Sequence, residues 1–185
     1  MLQLKPIPDS DVDAFYEMIS DPSLSINTGS IPMGVDRAWA LNRLSERREE
    51  EAAGKRVDDG LYDGETLVGM AGWFYNEHDQ MEIGYAIHKD HRGKGLATRA
   101  AAMVVDKLRE GGYSGAIFAQ YFKDNPASGR VLEKLGFEKE SSTEGPSASR
   151  VGLSPAWIVK LNALPDAELQ DSVAAKPPEG QIDPC

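Results

Sequence analysis

The segment from His91 to Thr98 most constrains what this chain can fold into. It reads His-Arg-Gly-Lys-Gly-Leu-Ala-Thr and lies between the apolar stretch 83–87 and an amphipathic run that starts at Ala97. Glycines at a strand-to-helix junction let the backbone approach a ligand closely, and the free N–H groups of a helix start attract negative charge. The segment therefore predicts a loop that binds an anion.

The local charge favours a small anionic ligand. Between positions 88 and 99 there are four cationic side chains and one carboxylate, whereas the whole chain has a formal net charge of −10. Nucleic-acid binding normally needs an extended basic surface, so one basic patch on an acidic chain argues against that partner. The competing interpretation is a solvated turn before a glycine-capped helix start.

Register excludes two common phosphate-binding loops. In a P-loop the lysine is followed by Ser or Thr, but Lys94 is followed by Gly-Leu. The dinucleotide fingerprint requires a third small residue at the position where Thr98 stands. The pattern that remains is Arg92-x-x-Gly95-x-Ala97.

Composition predicts a soluble domain with no metal centre and no membrane span. The 185 residues are 41% hydrophobic and 27% charged, and no apolar run approaches the roughly 20 residues that cross a bilayer. The first residues lack the apolar core of a signal peptide, so we expect a cytoplasmic protein. Cys185 is the single cysteine, and no acidic ligand follows His88 or His91 at a recognised spacing, so neither a disulfide nor a metal site is expected.

Residues 164–185 differ from the rest of the chain in composition. They contain four of the eleven prolines, five acids, one base and few large apolar side chains. Such a segment gains too little from burial to offset the entropy of ordering, so it is predicted to be a flexible acidic tail. The predicted domain is therefore 1–163. Its oligomeric state stays open, with a homodimer as one option.

Apolar periodicity and turn residues predict an α/β chain with a mixed sheet. The predicted order is an antiparallel meander followed by β-α-β-α-β, with helices on both faces of the sheet. The predicted strands are 2–6, 57–62, 66–75, 80–87, 115–121 and 151–161. The predicted helices begin near position 9, at Asp36, at Ala97 and after Asn125.

Local signals add detail to this order. Asp9 or Ser10 is expected to cap the first helix. The helix from 36 to 53 is expected to turn three apolar side chains inward: Trp39, Leu41 and Leu44. Two segments are expected to be loops: 21–34 and 141–149. Pro155 places the middle of the last strand at an edge or a bulge.

Three motifs follow one another along the chain: Glu82-Ile83-Gly84-Tyr85, the loop Arg92-Gly93-Lys94-Gly95-Leu96-Ala97, and a run from Asn125 to Phe137. Their order and spacing resemble the GCN5-related N-acetyltransferases (GNAT family) over residues 1–162. They look in particular like the RimJ/RimL-like branch, which acetylates the α-amino groups of ribosomal proteins. That branch also contains enzymes for polyamines, antibiotics and other small amines.

The resemblance implies the acyl-CoA N-acyltransferase fold, acetyl-CoA as the donor, and a primary amine as the acceptor. The pantetheine arm would lie along the end of the fourth strand and meet backbone groups of Ala86, Ile87 and His88. The loop that Arg92 opens would hold the pyrophosphate through six backbone amides, those of Gly93, Lys94, Gly95, Leu96, Ala97 and Thr98. Asn125 would contact the pantetheine or a water.

Glu82 is the candidate base. It has the strand parity of Gly84 and Ala86, so it lies on the opposite face from Ile83 and beside two small neighbours. It accepts the proton of the amine through a water, or it only positions the amine, or it is an ordinary exposed carboxylate of the strand. An N-terminal amine needs little base, whereas a lysine or a polyamine needs more.

Ser128 is the candidate proton donor. Many family members protonate the thiolate with a tyrosine four residues before the Gly-Phe pair, and this chain has Leu132 there. The RimL-like branch places a serine three residues after the capping asparagine, where Ser128 stands. The competing explanation is that Asn125 and Ser128 only cap the helix. Two tyrosines are candidate substitutes for the missing acid, Tyr85 and Tyr121, and the favoured alternative for each is a packed aromatic side chain.

Two functions remain after the sequence is read. No cysteine is placed to carry an acetyl group, so the expected reaction is direct transfer within a ternary complex. The missing tyrosine and the acidic tail also fit a non-catalytic acyl-CoA-binding module that regulates a partner.

Overall fold

One mixed sheet of seven strands organises the computed structural model, which describes residues 1–164. The strands are β1 (Leu2–Lys5), β2 (Arg56–Asp63), β3 (Thr66–Tyr75), β4 (Met81–Ile87), β5 (Ile117–Phe122), β6 (Glu138–Pro146) and β7 (Leu153–Leu161). Their order in the sheet is β1-β2-β3-β4-β5-β7-β6. Within residues 1–164 all neighbours are antiparallel except β4 and β5, which are parallel as predicted.

Five α-helices cover the two faces of this sheet in residues 1–164. They are α1 (Val12–Ile19), α2 (Pro22–Asn27), α3 (Arg37–Ala52), α4 (Leu96–Glu110) and α5 (Pro126–Lys134). The Asp36 side chain caps α3 by accepting the Trp39 N–H at 2.7 Å, as predicted. No helix in this part of the chain has the length and hydropathy needed to cross a bilayer.

Two apolar clusters show how alternation along β4 divides the sheet. Ile83 and Ile87 are buried with the inner face of α4 and with Leu132 of α5. Ala86 packs on the opposite face, against the cluster that α1 and α3 form. The predicted parity of β4 is confirmed, so Glu82 lies on the α1 and α3 face.

The first helices differ from the prediction. Neither Asp9 nor Ser10 caps α1: the Asp9 carboxylate pairs with Arg48, and a 3₁₀ turn over residues 9–11 precedes the helix. Positions 21–34 are not all loop, because Asp21 caps α2 by accepting the Ser23 N–H at 3.0 Å. Leu41 is 38% exposed, since the inward face of α3 runs instead through Ala40 and Leu44.

The last two strands also differ from the prediction. Positions 141–149 were expected to be a loop, but β6 occupies most of them with largely exposed polar side chains that carry no apolar alternation.

β7 is not an edge strand, since it lies between β5 and β6. Pro155 fits there because its carbonyl accepts the Lys123 N–H at 2.9 Å, just past the end of the β5 pairing. The position of its missing N–H lies on the same side of the strand, so the hydrogen bonds between β7 and β6 are not affected. The predicted tail lies outside the described residues from position 165 onward.

Candidate active site

A gap between β4 and β5 opens toward the glycine loop. The two strands pair only at Glu82 and Phe118 within the described chain, so the carboxyl end of β4 has no neighbour on that side. The His88 N–H donates to Val68 O at 3.0 Å, across the β3 side of β4. Because backbone groups alternate along an antiparallel strand, Ala86 also faces β3, whereas Tyr85 and Ile87 face the gap.

This alternation narrows the predicted set of pantetheine contacts. The N–H of His88 already donates to Val68 O, so Ile87 is the residue of the three whose N–H faces the open side. The His88 side chain lies elsewhere: its Nδ1 accepts the Asp90 N–H at 3.3 Å, and its Nε2 lies 3.8 Å from a Glu17 carboxylate oxygen on α1. His88 thus joins the loop to α1.

The glycine loop presents its amides to a cavity of about 920 Å³. Gly93 has a φ of 76° and Gly95 a φ of 73°, both in the left-handed region that favours glycine. A Cβ at either position meets no atom within 4 Å. The first intrahelical donor of α4 is the Arg99 N–H, which bonds to Gly95 O at 3.2 Å, so the amides of residues 96–98 have no partner within the helix. The loop therefore has the free donors and the open space that an anion needs.

Arg92 holds this loop in place. Its Nε donates to Ile87 O at 3.0 Å and its Nη1 donates to Ser23 Oγ at 2.8 Å, while its Nη2 pairs with the Asp21 carboxylate. The Arg92 and Ser23 contacts outweigh burial and hold the pKa of Asp21 below its ordinary value. The Arg92 guanidinium thus ties the end of β4 and the start of α2 to the loop.

Replacing Arg92 with alanine should loosen the loop rather than remove a direct contact. We expect Arg92→Ala to lower the free energy of unfolding by about 1–3 kcal/mol, because a charge-assisted network is lost, and to weaken acetyl-CoA binding. Arg92→Lys should not restore affinity, since lysine cannot reproduce the forked contacts. Denaturant titration and calorimetry measure both effects, and affinity equal to that of the wild type in Arg92→Ala would contradict this role.

Asn125 caps α5 as the sequence predicted, and the Ser128 side chain makes a different contact. The Asn125 Oδ1 accepts the Ser128 N–H at 3.3 Å. The Ser128 Oγ lies 2.8 Å from Tyr85 Oη, and the same Tyr85 hydroxyl donates to Ser128 O at 3.1 Å. Burial raises the pKa of Tyr85 to about 12, so its hydroxyl keeps its proton. The result is a protonated hydroxyl pair between β4 and α5, on the wall of the cavity.

Tyr121 lines the same cavity in a different way. Its ring packs against Gly129, where an added Cβ would lie 2.8 Å from the ring. Its hydroxyl makes no side-chain hydrogen bond within residues 1–164, unlike that of Tyr85. The sequence left the two tyrosines equivalent, and both lie on the α5 face of the sheet. The hydrogen bonds to Ser128 distinguish Tyr85.

Glu82 lies on the other wall of the cavity, facing α3. Burial raises the pKa of this carboxyl, and the Asn76 Nδ2 opposes that effect by donating to Glu82 Oε2 at 3.2 Å. Gly84 follows Glu82 on the same face of β4, and the space next to it is open, since an added Cβ there would meet nothing within 4 Å. A partly buried carboxylate beside an open strip of sheet is suited to receive a proton from a bound amine.

A clasp between α2 and the β6–β7 connection bounds this side of the cavity. The Ala148 N–H donates to Thr28 O at 2.8 Å, and the Ser147 hydroxyl donates to Ile26 O at 3.0 Å. Arg150 also donates to Ile26 O and pairs with Asp124 at 2.7 Å. The residues after α2 are thereby fixed over the sheet beside the open strip.

A seven-stranded sheet with a gap between parallel strands, a glycine loop at a helix start and a long cavity through the gap define a coenzyme-A-dependent acyltransferase. The family model described as "Acetyltransferase (GNAT) domain" matches residues 1–138, and the chain belongs to the GNAT acetyltransferase family. It is an acetyl-CoA-dependent N-acetyltransferase, with acetyl-CoA as the acetyl donor.

Known proteins show the same relationship. "Uncharacterized N-acetyltransferase YoaA" of Bacillus subtilis (strain 168) is 30% identical over 146 residues, covering 75% of this chain and 80% of the relative. The structure of RimL, a ribosomal L7/L12 alpha-N-protein acetyltransferase in complex with coenzyme A, has a TM-score of 0.78 at 13% identity, with coverage of 88% and 94%. The microcin C7 self-immunity acetyltransferase MccE, in complex with acetyl-CoA and AMP, has a TM-score of 0.77 at 13% identity, with coverage of 87% and 92%. At these identities the two structures support the fold.

Proposed function

We propose that this chain transfers the acetyl group of acetyl-CoA directly to a primary amine while both substrates are bound. One observation carries the proposal: a single cavity is lined by the loop residues Gly93 and Gly95, the gap-facing end of β4, Ser128 with Tyr85, and Glu82. These groups supply an anion cradle, a strand edge, a proton donor and a proton acceptor within one space.

The donor is held by backbone rather than by side chains in this proposal. The amides of residues 93–98 bind the pyrophosphate, and the pantetheine follows the gap-facing side of β4 beside Ile87. Asn125 contacts it from the start of α5, where the side-chain NH₂ donates to no other side chain within residues 1–164. A gap-facing N–H on β4 polarises the thioester carbonyl, since a fixed donor aimed at a developing oxyanion lowers the barrier.

Proton movements are divided between the two walls of the cavity. The neutral amine nitrogen attacks the thioester carbon, the C–N bond forms, and the C–S bond breaks to give coenzyme A. Glu82 takes the proton that the nitrogen loses, through a water, and the Tyr85–Ser128 pair supplies a proton to the departing sulfur. Burial raises the pKa of Tyr85, so its hydroxyl stays protonated until the sulfur departs. Burial also raises the pKa of Glu82, which makes the carboxylate a stronger proton acceptor.

The pH profile of kcat/KM should respond to the partner of Glu82. Asn76→Asp keeps the oxygen that accepts the His78 and Gln80 N–H groups, but replaces the donor to Glu82 with a like charge. The pKa of Glu82 then rises further, so the active ionised form is lost at a higher pH and the acidic limb of the profile moves up. Glu82→Gln should remove this limb and lower kcat/KM about 100-fold.

Ionisation of the acceptor amine also shapes the pH profile of kcat/KM. That contribution is the same for the wild type and both variants, so it serves as the internal control. An acidic limb that stays in place in Asn76→Asp, with Glu82→Gln fully active, would show that Glu82 neither accepts the proton nor positions the amine.

Initial-rate kinetics test direct transfer. Reciprocal plots at varied acetyl-CoA and amine should intersect, because both substrates bind before any product leaves. Parallel lines, or an acetylated enzyme trapped without amine, would contradict the proposal.

For the acceptor, we propose a protein N-terminal amine or a small-molecule amine, in line with a RimJ/RimL-like branch. The RimL neighbour, which its description names an alpha-N-protein acetyltransferase, supports that placement through its fold.

A further inference from the structure

Three arginines meet at the far end of the cavity from the glycine loop. Arg43 and Arg47 come from one face of α3, and Arg56 comes from β2. Arg56 pairs in register with Phe74, which pairs with Glu82, so the three side chains form a row across the sheet. This row lies four residues of β4, or about 13 Å, from Ala86 at the coenzyme end.

The three guanidiniums are largely buried. Their side chains are 19%, 12% and 18% exposed for Arg43, Arg47 and Arg56 respectively. Burial lowers the pKa of Arg47, and the nearby positive charges of Arg56 and Arg43 add to that effect against the attraction of Asp58. Placing three arginines together under cover is costly unless each has a counter-charge.

Counter-charges are supplied unevenly. Asp58 contacts both Arg47, at 2.9 Å, and Arg56, at 2.8 Å, and Glu50 contacts Arg47 at 2.8 Å. Arg43 has a weaker counter-charge, because its ion pair within residues 1–164 is to Glu46, whose side chain is 60% exposed. An exposed i,i+3 pair contributes little. Arg43 is therefore the guanidinium of the cluster that is most available to a ligand.

A second polar group without a partner lies in the wall of the same cavity. The Thr28 hydroxyl is buried, lines the cavity and has no hydrogen-bond partner within residues 1–164. The clasp described above fixes the Thr28 backbone, since Thr28 O accepts the Ala148 N–H. A buried hydroxyl without a partner is unfavourable, so it favours a polar ligand group that comes within hydrogen-bond reach.

We propose that the acceptor is an amine that also carries an anionic group, a carboxylate or a phosphate. The amine lies at Glu82 and the anion at Arg43, with Arg56 beside it. This inference rests on the proposed acetyl transfer and names the acceptor class for it. Glu82 and Arg56 are two strands apart, about 10 Å between Cα atoms, with Phe74 between them in the row. That span suits an amino acid, a short peptide or an aminoalkyl phosphate.

Matched acceptors test the inference. Each pair differs only in the anion: alanyl-glycine against alanyl-glycinamide, aspartyl-glycinamide against asparaginyl-glycinamide, and phosphoethanolamine against ethanolamine. In at least one pair the wild-type enzyme should show a kcat/KM at least about tenfold higher for the anionic member, since a buried arginine pairs strongly with such a group. The pair with the largest ratio distinguishes carboxylate from phosphate.

Arg43→Gln should lower the ratio of the preferred pair about tenfold by raising KM for the anionic member, and should leave the neutral member unchanged. Arg37→Gln is the matched control, because Arg37 lies on the same helix, is 55% exposed and pairs with Asp13. It should keep the wild-type ratio.

Equal kcat/KM within every pair, or an equal loss for both members in Arg43→Gln, would overturn the inference while acetyl transfer stands. Release of no thiol with any of the amines would overturn the proposed function, and this inference with it.

Discussion

Replacing Gly95 with leucine should lower the affinity for acetyl-CoA by at least about 100-fold, which corresponds to about 2.8 kcal/mol. Gly95 precedes α4 with a φ of 73°, and an added side chain points into space that no atom of residues 1–164 occupies within 4 Å of its Cβ. Leucine therefore fills the cradle itself and disfavours the left-handed conformation that aims the amides. Calorimetric titration with acetyl-CoA measures the change.

Gly54 provides the matched control for backbone strain. It follows α3 with a φ of 65°, its Cβ position is equally open, and it is not part of the cavity wall. Gly54→Leu should lower the free energy of unfolding by about the same 1–2 kcal/mol as Gly95→Leu, but leave acetyl-CoA affinity intact. Equal affinities for the two variants would remove the argument that the loop binds the pyrophosphate.

Tyr85→Phe should lower kcat by about 100-fold while changing acetyl-CoA affinity little, because it removes the buried proton donor of the hydroxyl pair. Ser128→Ala should lower kcat by about tenfold, since Tyr85 keeps its proton but loses the group that orients it. The Asn125 cap of α5 accepts the Ser128 backbone N–H, which alanine retains, so the helix start survives.

Tyr121→Phe separates this assignment from its competitor. Both tyrosines line the cavity, but only Tyr85 is hydrogen-bonded to Ser128 in the described residues. We expect Tyr121→Phe to keep kcat within about threefold, a change of well under 1 kcal/mol. Full activity in Tyr85→Phe together with a large loss in Tyr121→Phe would transfer the proton donor to Tyr121.

The sequence predicted those parts of the fold that local signals specify. The glycine loop, the amphipathic run of α4, the Asp36 cap and the parity of β4 each depend on a few neighbouring residues, and each is found in the structure. β6 was missed because a polar strand at the sheet edge is stabilised by its pairing with β7 rather than by apolar alternation. The middle of β7 was expected at an edge or a bulge because of Pro155. The position of β7 between β5 and β6 depends on long-range pairing, which local sequence does not show.

The candidate site shows a similar division. The motifs predicted Gly93, Gly95, Glu82 and Ser128 as site residues. All four line the same cavity in the structure. Motifs do not state what a side chain contacts, so the contacts of the Arg92 guanidinium with Asp21 and Ser23 could not be predicted from the loop pattern. The arginine cluster was not predicted, because it joins α3 to β2 and shows no pattern along the chain beyond the i,i+4 spacing of Arg43 and Arg47.

Thiol release from acetyl-CoA, measured over a panel of peptides and small amines together with the mass of the products, tests the central claim most directly. We expect free coenzyme A to appear only when an accepted amine is present, and in an amount equal to that of the amine that has gained one acetyl group. Tight binding of acetyl-CoA without thiol release on any amine would contradict it, and would favour a non-catalytic acyl-CoA-binding module instead.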